Sequence, residues 1–317
     1  YQKGWSVADI FKPNGDPAPG VVTTQDDFAI SWTRDESIDK VERFLRTTSE
    51  SEARQLFKLC SQSQWSYARA KSELADGAWR AKVTPILYRP FDIRWTVWDS
   101  NVAVHRRERV FKHVVGHENV VLINARSNKT GKNDHFFVSA LPSETKCGES
   151  STQSHVLPLW IYPADDMLRG RTPVRFPNLA PEFLSKLAEA TGGNTSIPED
   201  VLAYIYAVLY SPTYRTRYGD FLKRDFPRVP LPHDGVSFAS LASLGHELIE
   251  LHLLRKTGPA ITRYPKAGDN RVEKIEFNPD AADPTRGYVV INGSQFFEGV
   301  PTAVWEYTIG GYQVAHK

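Results

Sequence analysis

The run "VLAYIYAVLY", residues 201–210, constrains the fold more than any other stretch. It is apolar at every position, so a helix built from it has no solvent face and must be covered on all sides. It is too short to cross a bilayer, which takes ~20 apolar residues. Ser211 and Pro212 follow it, a helix N-cap and a residue suited to the first helical position. An aromatic stripe of this kind can stack on bases in single-strand binders. At this hydrophobicity it is read as core, and the rest of the chain has to supply its cover.

That cover changes texture along the chain. Residues 1–28 are rich in Pro and Gly and read as an extended connector. From Thr33 the pattern is helical. Thr33 with Glu36, and Ser49 with Glu52, have capping-box spacing. Ile38, Val41, Phe44 and Leu45 share one helical face, and Ala53, Leu56, Phe57 and Cys60 another. A third helical stretch ends at Gly77. Then come "VTPILYRP", "FDIRWTVWD", "ENVVLINA", "DHFFVSAL" and "SHVLPLWIYP", short runs with strand chemistry. Helices return over 178–256 and strands over 271–310. The expected fold class is α+β: a mixed β-sheet core with long loops, flanked by helices and preceded by a small helical spacer. The expected division is a connector and spacer over 1–78 and one larger unit over 79–317. Its β-rich part covers 79–163. The chain opens on Tyr1 and its only methionine is Met167, so it is read as a piece of a larger protein.

Charge narrows the function. The net charge is +2, and residues 1–100 balance at zero. Residues 101–135 hold seven basic residues (Arg106, Arg107, Arg109, Lys112, Arg126, Lys129, Lys132) against three acidic ones. One short window therefore carries the positive charge of an otherwise neutral chain, as a groove-contacting surface requires. Cys60 and Cys147 cannot build a disulfide framework or fill a thiolate zinc site by themselves. They read as thiols of a reducing cytoplasm.

Catalytic signatures are absent or fail. "SNKTGKND" has Arg126 where a phosphate loop needs Gly and Asn133 where it needs Ser or Thr. "HELIELH" has Glu250 where a zinc protease needs its second His, so His246 and Glu247 read as helix surface. Asp134, Glu144 and Lys146 fit a loose D…ExK spacing, which would hold Mg²⁺ in a nuclease. This is the alternative to a binding role, although "LPSETKCGESS" reads as loop and not as the strand such a site wants. No Ser–His–Asp or Cys–His arrangement stands out. The basic window remains. "NARSNKTGKNDH" offers Asn124, Arg126, Ser127, Asn128, Lys129, Lys132, Asn133 and His135 for DNA. Arg and Lys suit guanine, Asn suits adenine, and the others suit phosphate. "HRRERVFKH" offers Arg106, Arg107, Arg109 and Lys112 for the backbone. "RYPKAGDNRVEK" (263–274) is a further basic segment. Near the core helix, Tyr214, Arg215, Arg217 and Tyr218 are the more exposed candidates, for phosphate or for a neighbouring domain.

Five stretches carry a family resemblance: "GVVTTQD" (20–26), "YRPFDIRW" (88–95), "LPLWIYP" (157–163), "PEDVLAYIYAVLYSPTYRTRYGDFLKRDFPRVPLP" (198–232) and "AVWEYTIGGYQV" (303–314). In that order they resemble the C-terminal specificity region of Type ISP single-polypeptide restriction-modification enzymes. The resemblance implies a target recognition domain over 79–317. Its partners would be double-stranded DNA and an adenine-N6 methyltransferase domain of the same polypeptide. S-adenosylmethionine, Mg²⁺ and ATP would serve domains outside this chain, and the methyltransferase's NPPY-type motif does not occur in it. Thr24 stands where the family often has Gly.

Within the charged stretch "TPILYRPFDIRWTVWDS" (84–100), the resemblance places "YRPFDIRW" (88–95) among the features that such enzymes share, whereas reading loops should differ between them. Residues 84–98 are therefore expected to be scaffold, with Arg89 and Asp92 as an ion pair. The rival reading puts Arg89 or Arg94 on a phosphate.

Overall fold

In a computed structural model the protein is described over residues 1–163, 174–193 and 197–316. Its centre is a four-stranded antiparallel sheet, ordered Ala18–Pro19, Ser154–Pro158, Val121–Ala125, Phe136–Ser139. Successive side chains on a strand point to opposite faces. Leu122, Phe136, Val138 and Leu157 face one core, while Val121, Ile123, Phe137 and Val156 face another. Cover on both faces explains why Val121–Ala125 is buried at every position and shows no polar alternation.

The first face is covered by helices. Pro198–Tyr210 is buried at eight positions and packs along Gly235–His252. Gly245 permits that contact, since a Cβ there would lie 1.9 Å from the Ala203 carbonyl oxygen. Hydrogen bonds finish the seam: Tyr206 Oη with His252 Nδ1 at 2.6 Å, and His246 Nε2 with Asp200 Oδ1 at 2.7 Å. Tyr210 Oη donates to the Phe136 carbonyl at 2.6 Å, which ties this helix to the sheet.

The first residues are not the connector their composition suggests. Trp5–Ser6 pairs with Arg228–Val229, and Val7, Ile10 and Phe11 enter the helical core. The apolar residues between the Gly and Pro positions decide this, because burial outweighs the local preference for an open chain.

The second face carries the hairpin Val83–Arg89 and Asp92–Val97, together with Val110, Phe111 and Val114. Helices Arg34–Arg46, Glu50–Phe57 and Tyr67–Leu74 form a third cluster around Phe44, Trp65 and Trp79, closed by Val97 and Val102. Thr33 and Ser49 cap as their spacing requires, accepting from Glu36 N and Glu52 N. A smaller sheet, Glu276–Pro279, Arg286–Val290 and Phe296–Pro301, completes the fold. No helix among the described residues is long and apolar enough to cross a membrane.

The hairpin packs Ile86 and Leu87 into the second core, and its ion pairs differ from the expected one. Arg89 Nη1 bonds Glu144 Oε2 at 2.5 Å, and its guanidinium lies over the Tyr88 ring. Asp92 instead accepts from Arg94 Nε at 2.5 Å. The turn explains the exchange. Phe91 has φ 63° and the register slips between Leu87 and Arg89, which turns Arg89 toward the segment 143–145. That segment is bridged to Leu87 and Val21. Thr24 has φ 62°, a left-handed turn that favours Gly, and Thr bears the strain there.

Candidate nucleic-acid interface

The basic window divides into two parts with different surroundings. Arg109 donates to the carbonyl oxygens of Asn14 and Asp16, the latter at 2.5 Å. Arg106 donates to the Trp98 carbonyl at 2.9 Å, and His105 bonds Gln62. Arg107 is half-buried at φ 54° and opens the short helix Glu108–Phe111. His113 is buried between Asn14 and the Tyr162 amide, and burial lowers its pKa to about 4. This segment straps the sheet's second face; Lys112 and Arg109 are exposed, and Arg109 is held by the two carbonyls.

Residues 126–133 leave the other end of the central strand. That strand spans roughly 16 Å at ~3.3 Å per residue. The Arg109–His113 stretch lies at its Val121 end, beside Asn14 and Asn119. The structure therefore separates two loops that the sequence offered as one surface.

The loop 126–133 is docked on three sides. Asn128 N bonds the Lys223 carbonyl at 3.3 Å, and Asn133 Nδ2 donates to the Arg215 carbonyl. Both contacts are to the helix Pro212–Leu222 and the turn after it. The Asn133 side chain lies directly over Gly219, in the space a Cβ there would occupy. Lys129 N bonds Ser151 Oγ, and Thr152 Oγ1 donates to the Ser127 carbonyl. Lys132 Nζ reaches Thr308 Oγ1 at 3.2 Å, and Thr308 in turn donates to Asp134 at 2.5 Å.

This docking sorts the expected contact residues. Asn124 and His135 are fully buried and Asn128 nearly so, which removes them from any base edge. The cause is the strand pattern around them: Asn124 lies within the central strand, and His135 precedes Phe136–Ser139. Asn128 Nδ2 and His135 Nδ1 pair at 2.8 Å, and burial drives His135 to about 3. Arg126, Lys129 and Lys132 remain exposed, with Ser127 and Asn133 partly so.

Of the four candidates on Pro212–Leu222, Tyr214 is buried and bonds the Arg228 carbonyl, and Tyr218 is half-buried against Tyr1 and Tyr214. Arg215 donates to the Leu209 carbonyl at 2.7 Å and lies over the Tyr210 ring. Arg217 is exposed, and so is Arg224 just beyond the helix. Lys223 pairs with Asp220. The loop and the end of this helix thus pack together, bringing Arg126, Lys129 and Lys132 beside Lys223, with Asp225 paired to Arg126 and Asp220 to Lys223. Sequence reading offered the two halves separately. The mid-helix Gly219 was the signal that something docks there. Segment 263–274 is exposed throughout and is tied by Arg263 to Glu298.

The metal-site alternative does not assemble. Glu144 is committed to Arg89, Asp134 to Thr308, and Lys146 Nζ to the Ser150 carbonyl. Among the described residues no group of three His, Cys, Asp or Glu is placed to hold a metal ion.

The profile of a family described as the Type ISP C-terminal specificity domain matches residues 10–316. Among solved structures, the chain resembles a cryoEM structure of a DrdV–DNA complex at 24% identity and TM-score 0.72, covering 94% of this chain and 30% of that one. It resembles the ATP-dependent Type ISP restriction-modification enzyme LlaBIII bound to DNA at 19% identity and TM-score 0.70, covering 99% and 21%. It also resembles a nuclease-deletion mutant of the Type ISP enzyme LlaGI in complex with a DNA substrate mimic, at 18% identity and TM-score 0.66, covering 99% and 29%. At these identities the likeness shows the fold. The chain spans less than a third of each of these proteins. No curated protein matches it.

Proposed function

The chain belongs to the family of Type ISP C-terminal specificity domains, and from that premise we propose that it reads a double-stranded DNA target for a restriction-modification enzyme. The observation that carries the choice of surface is the docking of loop 126–133 on helix Pro212–Leu222, which sets the exposed Arg126, Lys129 and Lys132 beside Lys223. Lys129 and Lys132 neutralise phosphates in this reading, and Arg217 and Arg224 are further exposed cations on the helix and just beyond it. Arg126 and Ser127 stand where the loop rises from the sheet, in reach of base edges. Segment 263–274 is a second phosphate contact. Arg106, Arg107 and Arg109 belong to the scaffold, and Lys112 is a surface cation away from the duplex.

The domain holds the duplex while a methyltransferase domain of the same polypeptide extrudes and methylates an adenine. S-adenosylmethionine, Mg²⁺ and ATP serve the other domains of that polypeptide.

The test is a titration of the chain against duplex DNA over a range of salt. Each phosphate contact that is lost should lower the slope of log K against log salt by about one. Lys129→Ala with Lys132→Ala is expected to flatten that slope by about two. An unchanged slope and affinity would reject this loop as the contact surface.

A further inference from the structure

We propose that Arg126 reads a guanine of the target and that Asp225 is the positioning residue that aims it. This rests on the DNA-reading assignment above and adds to it a residue, a base and an edge. Arg126 follows directly on Val121–Ala125, a strand bonded to neighbours on both sides. Its backbone is therefore set by a strand paired on both sides. Its Nε donates to Asp225 Oδ1 at 3.0 Å. Nη1 and Nη2 have no hydrogen-bond partner among the described residues, and the side chain is 66% exposed. The Phe226 ring flanks the guanidinium, 6.0 Å from its carbon.

A guanidinium held at Nε has one planar edge left, made of two terminal N–H donors. That edge is complementary to two coplanar acceptors side by side. In the major groove, guanine alone offers that pair, its O6 and N7. Adenine presents an acceptor beside a donor, so the same fork meets a mismatch there. A phosphate also accepts from a guanidinium, but a residue serving only phosphate gains nothing from a carboxylate beside it. Asp225 repels the backbone and weakens such a contact. An exposed ion pair contributes little to folding stability, so stability gives no alternative reason for the arrangement. Lys129, on the same loop, has no such acid partner among the described residues, which suits a plain phosphate contact.

The experiment is selection from a randomised duplex library with the chain, its Arg126→Ala variant and its Asp225→Asn variant, at low and moderate salt. The wild-type chain is expected to enrich one site containing a guanine. Arg126→Ala is expected to lose preference at that base pair alone, by about 10- to 100-fold. Asp225→Asn is expected to blur the same position while binding unrelated DNA as well or better. Placing 7-deazaguanine at that position should weaken the wild type and leave Arg126→Ala unaffected. If the wild type selects a site but Arg126→Ala keeps every base preference and only weakens uniformly, Arg126 is a phosphate contact and the inference is overturned while the reader assignment stands. If the wild type selects no site at all, the reader assignment fails and takes the inference with it. Thermal unfolding of both variants, expected to match the wild type, separates a changed base profile from a damaged fold.

Discussion

Residues 105–113 and 124–135 look alike as strings, each crowded with Arg, Lys and His, yet the fold uses them in opposite ways. The first is drawn across the second face of the sheet, and Arg106 and Arg109 donate to backbone carbonyls of residues 14, 16 and 98. The second turns its asparagine and histidine side chains inward and leaves Arg126, Lys129 and Lys132 outside. Charge density in a sequence does not say where the charge points. What decides is whether apolar residues at the right spacing pull the segment onto a core. Val110, Phe111 and Val114 do that for the first. The second has no apolar residue from 126 to 134.

Variants can press on this contrast, beginning with the scaffold. Removing Glu144 leaves Arg89 without its charge partner beside a largely buried site. Glu144→Ala is expected to lower the free energy of unfolding by about 3–5 kcal/mol, read from urea denaturation. Arg109→Ala breaks two charge-assisted bonds to carbonyl oxygens and should cost about 1.5–3 kcal/mol. Neither change should alter the salt slope of DNA binding once the folded fraction is accounted for. A flattened slope in Arg109→Ala would put that arginine on the duplex and erase the contrast.

Histidine titration probes the inward faces of both segments at once. Burial lowers His113 to about 4 and His135 to about 3, while the unfolded chain protonates near the ordinary value of 6.5. The unfolded state therefore binds more protons as pH falls below 6.5. The stabilising contribution is complete above 6.5 and is lost on acidification toward the folded values. Each histidine should contribute a slope of about 1.4 kcal/mol per pH unit in that window. His135→Gln should flatten the profile between pH 6 and 4, measured by denaturation at each pH. An unchanged profile would mean that the His135 ring is solvated.

The smallest effect on stability belongs to loop 126–133. Lys129→Ala with Lys132→Ala should stay within about 0.5 kcal/mol of the wild type per site, even though DNA affinity falls.

Much of the fold was legible because it follows from periodicity. The all-apolar run 201–210 had to be a central helix, and the capping boxes at Thr33 and Ser49 formed where their spacing put them. The strands 83–97, 121–125 and 136–139 lie within the β-branched and aromatic runs. The connector reading of residues 1–28 failed because pairing of Trp5 with Val229 spans more than two hundred residues, which no local pattern reports. The partner of Arg89 was missed for the same reason: Asp92 was near in sequence, but Glu144 was near in space. The site was legible as a composition, a basic loop with amides. Its inner and outer sides were not, because only Ala125, where the strand ends, separates a buried Asn124 from a buttressed Arg126.

The measurement that bears most directly on this contrast is lysine acetylation of the chain with and without saturating duplex, read peptide by peptide by mass spectrometry. Lys112 and Lys129 are both exposed, one on each segment, so each serves as the other's control. The expected result is that DNA protects Lys129 and Lys132 while Lys112 reacts at the same rate. Protection of Lys112 with Lys129 left reactive would contradict the assignment and move the duplex to the opposite end of the central strand.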